Sequence, residues 1–440
     1  MTRRIWLSIM AGIFVLAMMA SPVAVGADKE VTITFWHGWS GARHPLVRGI
    51  LDRFEAEHPG IKVVDQLVPV AQLTDKLVVG WTTGVGPDVA MLDFPRQLAF
   101  GADGYLLPLE PLAEKDGTPI KELIYPSVAE MILWDGTTYY LPQLIDADFL
   151  YYNGDMFAQA GLDPTSPPKT HSELREVAKT LTRYSSGGQI DVLGLDVLSH
   201  GSLNYFNFKA YLDQYARAFV DASRRTVFPD FETTVDVAEW MLDLAADITG
   251  DAAAGPSFVQ ANGGWLQAFL NAKTAMHTSF DYVYFQVKAQ NAEHPIGIAV
   301  RPHPDDQPYR TTTTPSWGYG ISQSTHHPEA AWKLLKWLSA TPEGGGEFVR
   351  SQSRLSTSAE INGDPVNFEV NPYWPVFIQA VEQSGFWGYR SYGNLEPQFQ
   401  SLIAEAFNEA ARGSQSISSG LLNVRGQLQA QLDQWWSERQ

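Results

Sequence analysis

A strand, a glycine-bearing loop, a helix and a second strand follow one another between Val31 and Val64, and that order constrains the fold most. Val31, Ile33 and Phe35 alternate with Thr32 and Thr34, the period-two pattern of a strand with one buried face. The loop Trp36-His37-Gly38-Trp39-Ser40-Gly41 comes next. Leu46, Val47, Ile50, Leu51 and Phe54 then share one helical stripe, with Arg48, Asp52, Arg53 and Glu55 mostly opposite. Pro59-Gly60 stops the helix, and Ile61-Lys62-Val63-Val64 reads as the next strand. Such a β-loop-α-β unit predicts a parallel sheet flanked by helices. Ligands of such sheets sit beyond the carboxyl ends of the strands, where the Trp36–Gly41 loop lies.

A second unit repeats this logic. Gly84-Val85-Gly86-Pro87 is a turn, Asp88 to Leu92 a short buried strand, and Asp93-Phe94 sit at its exit. Leu141 to Asn153 is mostly extended, with Asp146 and Asp148 interrupting its apolar character. The region from about 172 to 290 reads as largely helical, and Ile296 to Val300 as a strand. Pro302 to Pro308 is a proline-rich connector, and strand character returns around Trp317-Gly318-Tyr319. Pro328 opens a helix whose stripe includes Ala331, Leu334, Leu335 and Leu338. No internal repeat is visible.

Ahead of the first strand, Arg3 and Arg4 precede an apolar run from Ile5 to Met19, and small residues end in Val25-Gly26-Ala27. That is the layout of a cleavable secretory signal over residues 1–27. A run of about 15 apolar residues falls short of the ~20 that span a bilayer. Cleavage after Ala27 would leave an exported, freely soluble chain in a bacterial periplasm. With no cysteine, disulfides, thiolate catalysis and a lipid-modified N-terminal Cys are all excluded. The net charge of −18 argues against a nucleic-acid partner, whose binding draws on clustered Lys and Arg. Fourteen tryptophans exceed what cores ordinarily need, and flat apolar rings stack well on sugar faces.

Bond-breaking chemistry finds little support. Asp146 and Asp148 share a strand face, whereas the two carboxylates of a glycosidase usually flank the scissile bond from separate elements. His326-His327 lacks a carboxylate at useful spacing, so no metal site is expected, and no phosphate loop or nucleophile elbow is present. No cofactor and no catalytic residue are predicted.

Four segments in order carry a resemblance. They are Phe54-Glu55-Ala56-Glu57-His58-Pro59-Gly60-Ile61-Lys62-Val63, Gly86-Pro87-Asp88-Val89, Tyr140-Leu141-Pro142 leading to Tyr151-Tyr152-Asn153, and Pro328-Glu329-Ala330-Ala331-Trp332-Lys333. Over nearly the whole mature length the chain resembles extracellular solute-binding proteins of carbohydrate-uptake ABC transporters, the broad family that includes maltose-binding protein. Trp36-His37 and Arg390 with Gly393-Asn394 are similar to the branch of glycerol-3-phosphate-binding proteins, where the arginine contacts the phosphate. Asp146 and Asp148 depart from that branch, and two carboxylates would repel a phosphate in a closed, low-dielectric cleft.

The resemblance implies an α/β, two-lobed periplasmic binding protein fold, each lobe a mainly parallel sheet flanked by helices, with the ligand cleft at the hinge. Residues 28–145 and 303–335 would form the N-lobe, and 149–301 with 336–440 the C-lobe. The chain would cross near 146–148 and 302–308. The expected ligand-side residues are Trp36, His37 and Trp39 in the first loop, Asp93, Asp146 and Asp148 as hydroxyl acceptors, and Trp265, Asp281 and Tyr282 from the other lobe. Trp317, Gly318 and Tyr319 resemble the family's cleft loop, and Tyr151, Arg354 and Arg390 complete the set. The expected protein is a monomer that captures a sugar or polyol and delivers it to membrane permease subunits. Capture of glycerol-3-phosphate or a related anion is the first alternative, and an exported carbohydrate-active enzyme the second.

Overall fold

The computed structural model describes residues 30–199, 204–291, 293–310, 313–384 and 395–438. The expected signal peptide, and Arg390 with Gly393-Asn394, lie outside the described residues.

The opening unit folds as its pattern dictates. Strands β1 (Val31–His37) and β2 (Ile61–Leu67) pair in parallel, and β1 pairs in parallel with β3 (Val89–Leu92) on its other side. The helix Arg43–Glu57 between them buries Val47, Ile50, Leu51 and Phe54, the predicted stripe. A short hairpin follows, β4 (Leu133–Trp134) with β5 (Thr137–Thr138), then β6 (Leu141–Pro142) and the long β7 (Leu144–Asn153). The remaining strands are β8 (Arg183–Tyr184), β9 (Ile190–Leu195), β10 (Thr274–Phe280), β11 (Ile296–Val300), β12 (Thr313–Pro315), β13 (Gly318–Ile321) and β14 (Leu355–Ser356).

These strands form two main sheets. The first runs β2-β1-β3-β13-β6, and the second runs β11-β7-β10-β9-β8. Pairings are parallel for β2-β1-β3 and for β9–β10, whereas β13, β6, β7 and β11 return antiparallel. Two apolar cores are present: the first covers the first sheet and reaches the second through Phe149, Tyr151, Ile296 and Ile298, and the other takes the alternate β7 residues Leu150 and Tyr152. Ile33, Phe35, Met91, Leu334 and Leu335 belong to the first, and Leu193, Phe208, Met241 and Leu428 to the second. Among the described residues, no helix is long and apolar enough to cross a membrane.

Among the described residues, three segments meet at the start of β7, between the two sheets. Only Gln143 separates β6 in the first sheet from β7 in the second. β12 lies on β7 with Thr314 opposite Asp146, then two residues lead to β13 in the first sheet. β14 also lies on β7, with Leu355 opposite Ile145.

Two expected boundaries are corrected here. The Pro302–Pro308 connector lies against helices of the second sheet: Gln214 Nε2 donates to Pro302 O at 2.7 Å, and Ser172 N donates to Asp305 Oδ2 at 3.2 Å. The passage is therefore near 313–317. The helix Pro328–Ala340 runs unbroken through position 335, because its apolar stripe continues. Leu338 on this helix joins the first core, while the helix Trp374–Ser384 packs on β11 and β7 and the helices Glu396–Ala411 and Ile417–Ser437 pack in the second core.

Candidate functional site

These three segments bring charged and aromatic side chains together around the first residues of β7. Asp281 follows β10 and is fully buried. Its Oδ2 accepts from Arg354 Nε at 3.1 Å and from Leu355 N at 2.9 Å, while its own N donates to Ala147 O at 3.0 Å. Arg354 also pairs through Nη2 with Asp146, whose side chain stays 18% exposed. The guanidinium lies 5.7 Å from the centre of the Tyr282 ring. Burial pushes the Asp281 carboxyl upward, the Arg354 charge pulls it back, and Asp146 adds to the rise. Burial works against the Arg354 charge too, but the two carboxylates beside it prevail and hold it above its ordinary value.

An aromatic group borders this junction. Trp39 donates through Nε1 to Tyr319 Oη at 3.3 Å, and Tyr319 Oη donates to Gln143 Oε1 at 3.0 Å. Trp317 meets Trp39 edge-on, with ring centres 5.9 Å apart, and remains partly exposed. Arg43 links the two groups. It lies over the Trp39 ring at 5.7 Å and donates through Nε to Gln352 Oε1 at 2.8 Å. Burial, then the nearby Arg354 charge, lowers its pKa. Gly318 is required where it stands: a Cβ there would sit 2.4 Å from Leu141 O and 2.5 Å from Pro142 Cα.

Of the residues singled out from sequence, Trp39, Asp146, Asp281, Tyr282, Trp317, Gly318, Tyr319 and Arg354 are thus gathered at this junction. Tyr319 is buried and acts there through its hydroxyl network. Several others are placed elsewhere. Asp148 is fully buried and accepts from Arg301 Nη1 at 2.6 Å, and Arg301 Nη2 donates to Asn207 Oδ1 at 3.2 Å, so Asp148 is a structural ion-pair member. Tyr151 is buried and spends its hydroxyl on Phe280 O at 2.8 Å. Asp93 caps the helix Phe94–Ala102, accepting from Arg96 N at 3.1 Å and pairing with the Arg96 guanidinium. Trp265 stacks on His277 with ring centres 4.6 Å apart. Trp36 stays half-buried, and its ring edge approaches Gly80.

His37 is also turned away from the loop it begins. Its ring is buried against Asp65, which His44 and Arg48 approach as well. Ligand atoms of His37, His44 and Asp65 lie within 4.8 Å of one another, a spacing that would suit an ion. The hydrogen bonding does not suit one. Trp39 N donates to His37 Nδ1 at 3.2 Å, so the neutral ring carries its proton on Nε2, the atom facing Asp65 at 3.4 Å. Burial lowers the His37 pKa, with Asp65 pulling against it.

Sequence reasoning missed Arg43, Gln143 and Gln352. Arg43 and Gln143 adjoin segments already recognised, the Trp36–Gly41 loop and the Tyr140–Pro142 motif, and that adjacency was the available signal.

Two sheets with helical layers, joined by strands that meet beside a polar and aromatic cluster, define a two-lobed α/β binding-protein fold. The chain belongs to the bacterial extracellular solute-binding protein family, whose family model matches residues 43–344. A binding protein of Brucella abortus (strain 2308) is 24% identical over 365 residues, 80% of this chain and 81% of that one. The sn-glycerol-3-phosphate-binding periplasmic protein UgpB of Escherichia coli (strain K12) is 29% identical over 186 residues, 39% of this chain and 42% of that one. Among solved structures, the cyclic alpha-maltosyl-1,6-maltose binding protein from Arthrobacter globiformis superimposes with a TM-score of 0.76 at 20% identity, covering 91% of this chain and 99% of that one. The maltose/maltodextrin-binding domain MalE from Bdellovibrio bacteriovorus, bound to maltotriose, gives 0.69 at 21% identity, covering 92% and 100%. These structural likenesses speak for the fold.

Proposed function

We propose that this chain captures a sugar or polyol between its lobes and delivers it to the permease subunits of an ABC importer. The reading rests on one observation above others: Asp146, Arg354 and Tyr282 meet beside Trp39 and Trp317 where three strands come together between the lobes. A carboxylate and a guanidinium offer acceptors and donors to hydroxyl groups, and an indole offers a flat apolar face to sugar C–H bonds. Sugars named with the structural neighbours, maltotriose among them, have that chemistry. Hinge bending about the starts of β7, β12 and β14 would close the lobes, and a ligand favours closure through its greater affinity for the closed state. No bond need be made or broken. Export would depend on the signal at residues 1–27, with the mature chain acting as a monomer in the periplasm.

A second reading has its own support. Arg43 and Arg354 lie close enough for one charge to depress the pKa of the other, which would suit an anion such as glycerol-3-phosphate. Calorimetry with maltotriose, mannobiose, sorbitol and sn-glycerol 3-phosphate separates the two, with product analysis alongside. Saturable binding of a neutral member, returned unchanged, is expected. Turnover of any bound sugar would remove the transport reading in favour of an enzyme.

A further inference from the structure

The two lobes also touch away from the start of β7, through tryptophan. Trp134, on the hairpin β4–β5, stacks on Trp436 with ring centres 5.6 Å apart and planes 17° from parallel. Trp435 meets Trp134 edge-on at 5.4 Å. The hairpin belongs to the first lobe, where β4 packs on the helix Phe94–Ala102. Trp435 and Trp436 end the helix Ile417–Ser437, which packs against Phe231–Thr249 in the second.

Both partners are held in place from behind. Asp135 and Gly136 have φ of 47° and 76°, the doubly left-handed geometry of a tight two-residue hairpin, which fixes where Trp134 emerges. Trp436 Nε1 donates to Arg224 O at 2.8 Å, and the Arg225 guanidinium lies 4.1 Å from the Trp436 ring centre. Arg224 has φ of 56°, an uncommon conformation for a residue with a side chain. Asp221 supports that turn, its Oδ1 accepting from Arg225 N and Thr226 N at 2.8 Å each. So placed, Arg224 lies 5.5 Å from the Trp134 ring centre and donates through Nη2 to Leu133 O at 3.3 Å. A first-lobe indole is therefore enclosed by two second-lobe indoles and a guanidinium.

We propose that this cluster is an aromatic latch that holds the lobes in the arrangement seen here and sets how much of the ligand-free protein is closed. The inference rests on the reading of two lobes that close on a ligand. A motion that parts β4 from the end of the helix Ile417–Ser437 draws Trp134 out from beside Trp435 and Trp436. Opening therefore gives up the stacking and cation–π attraction, and that cost weights the equilibrium toward closure. Apparent affinity follows, because only the closure-competent fraction binds tightly.

The absence of cysteine makes the test direct, since two introduced thiols are the only labelling sites. Val79→Cys on the first lobe (62% exposed) and Leu422→Cys on the second (59% exposed) carry a fluorophore pair. Inter-lobe distance is read in full-length protein without ligand, then with maltotriose and with sn-glycerol 3-phosphate. Trp134→Ala should raise the open-to-closed ratio of the ligand-free protein about fivefold, and Trp134→Phe far less. Apparent affinity for whichever test ligand binds should fall by a similar factor. Arg224→Gly, which suits the positive φ, should act in the same direction and serves if Trp134→Ala does not fold. An unchanged ligand-free distance in a folded variant overturns the latch, as does a wild-type protein already open without ligand. Failure of the capture reading looks different: neither ligand binds the wild type or shortens the distance in Trp134→Ala, while the ligand-free comparison still judges the latch.

Discussion

Arg354 donates through Nε to Asp281 Oδ2 at 3.1 Å, and this buried pair fastens the end of β10 to the start of β14. The same guanidinium reaches Asp146 on β7. Three segments distant in sequence thus share one cation where the chain passes between lobes. Its remaining exposed partner, Asp146, is the part of this network that a ligand could compete for.

Removing Arg354 should be costly to folding. Arg354→Met leaves Asp281 buried without its cation, and breaking such a pair costs about 3–5 kcal/mol. Asp281→Asn should cost less, because the amide oxygen can still accept from Leu355 N. Urea unfolding monitored by tryptophan fluorescence gives both values. An Arg354→Met loss below ~1 kcal/mol would show that the pair does not hold the junction.

Asp146 distinguishes the two ligand classes. Asp146→Ala deletes hydroxyl-accepting oxygens and uncovers Arg354, so neutral-sugar affinity should fall by about 1–3 kcal/mol. Affinity for sn-glycerol 3-phosphate should rise in the same variant. Calorimetry with the two ligands reads the contrast, and equal changes for both would take Asp146 out of the site.

Acid should destabilise the second lobe through His171. Its ring stacks on Trp240 at 4.1 Å and its Nε2 lies 2.9 Å from Gln214 Oε1. Burial pushes its pKa down to about 4, with the Gln214 hydrogen bond opposing. The folded state thus binds this proton less readily than the unfolded chain does. The neutral ring's contribution is full above about pH 6.5 and is lost as pH falls toward 4, on the order of 3 kcal/mol. Chemical denaturation from pH 7 to 4 should show this slope in the wild type, and a flatter one in His171→Phe. Parallel slopes would mean that His171 does not carry the effect.

Gly318→Ala tests close packing beside the site. The added methyl would press on Leu141 O and Pro142 Cα, both backbone atoms, and so can be relieved only by moving a strand. A loss of about 1–3 kcal/mol is expected in thermal or urea unfolding. A neutral substitution would mean that β13 and β6 separate easily.

Much of the architecture was legible in residue order. Alternation over Val31–Phe35 and the stripe through Phe54 gave the first parallel unit, because burial of one face imposes those periods. The aromatic loop, the extended run with its carboxylates and the Trp317-Gly318-Tyr319 segment were found by the same kind of local pattern. Which of those side chains face one another was not legible. His37 and Trp39 lie two residues apart, yet one is held by Asp65 and the other by Tyr319.

Asp146 and Asp148 show where local pattern ends. By itself the sequence determined an extended segment with two carboxylates on one face, since side chains alternate along a strand. Only the tertiary structure decided their roles, through antiparallel register. Val300 opposite Phe149 brings Arg301 to Asp148, and Leu355 opposite Ile145 brings Arg354 to Asp146. Those arginines come from 153 and 208 residues away, and the first pair is sealed from water whereas the second borders the lobe junction. A charge's role follows from its partner and its access to water. Both are properties of strand pairing between remote segments, which no local pattern records.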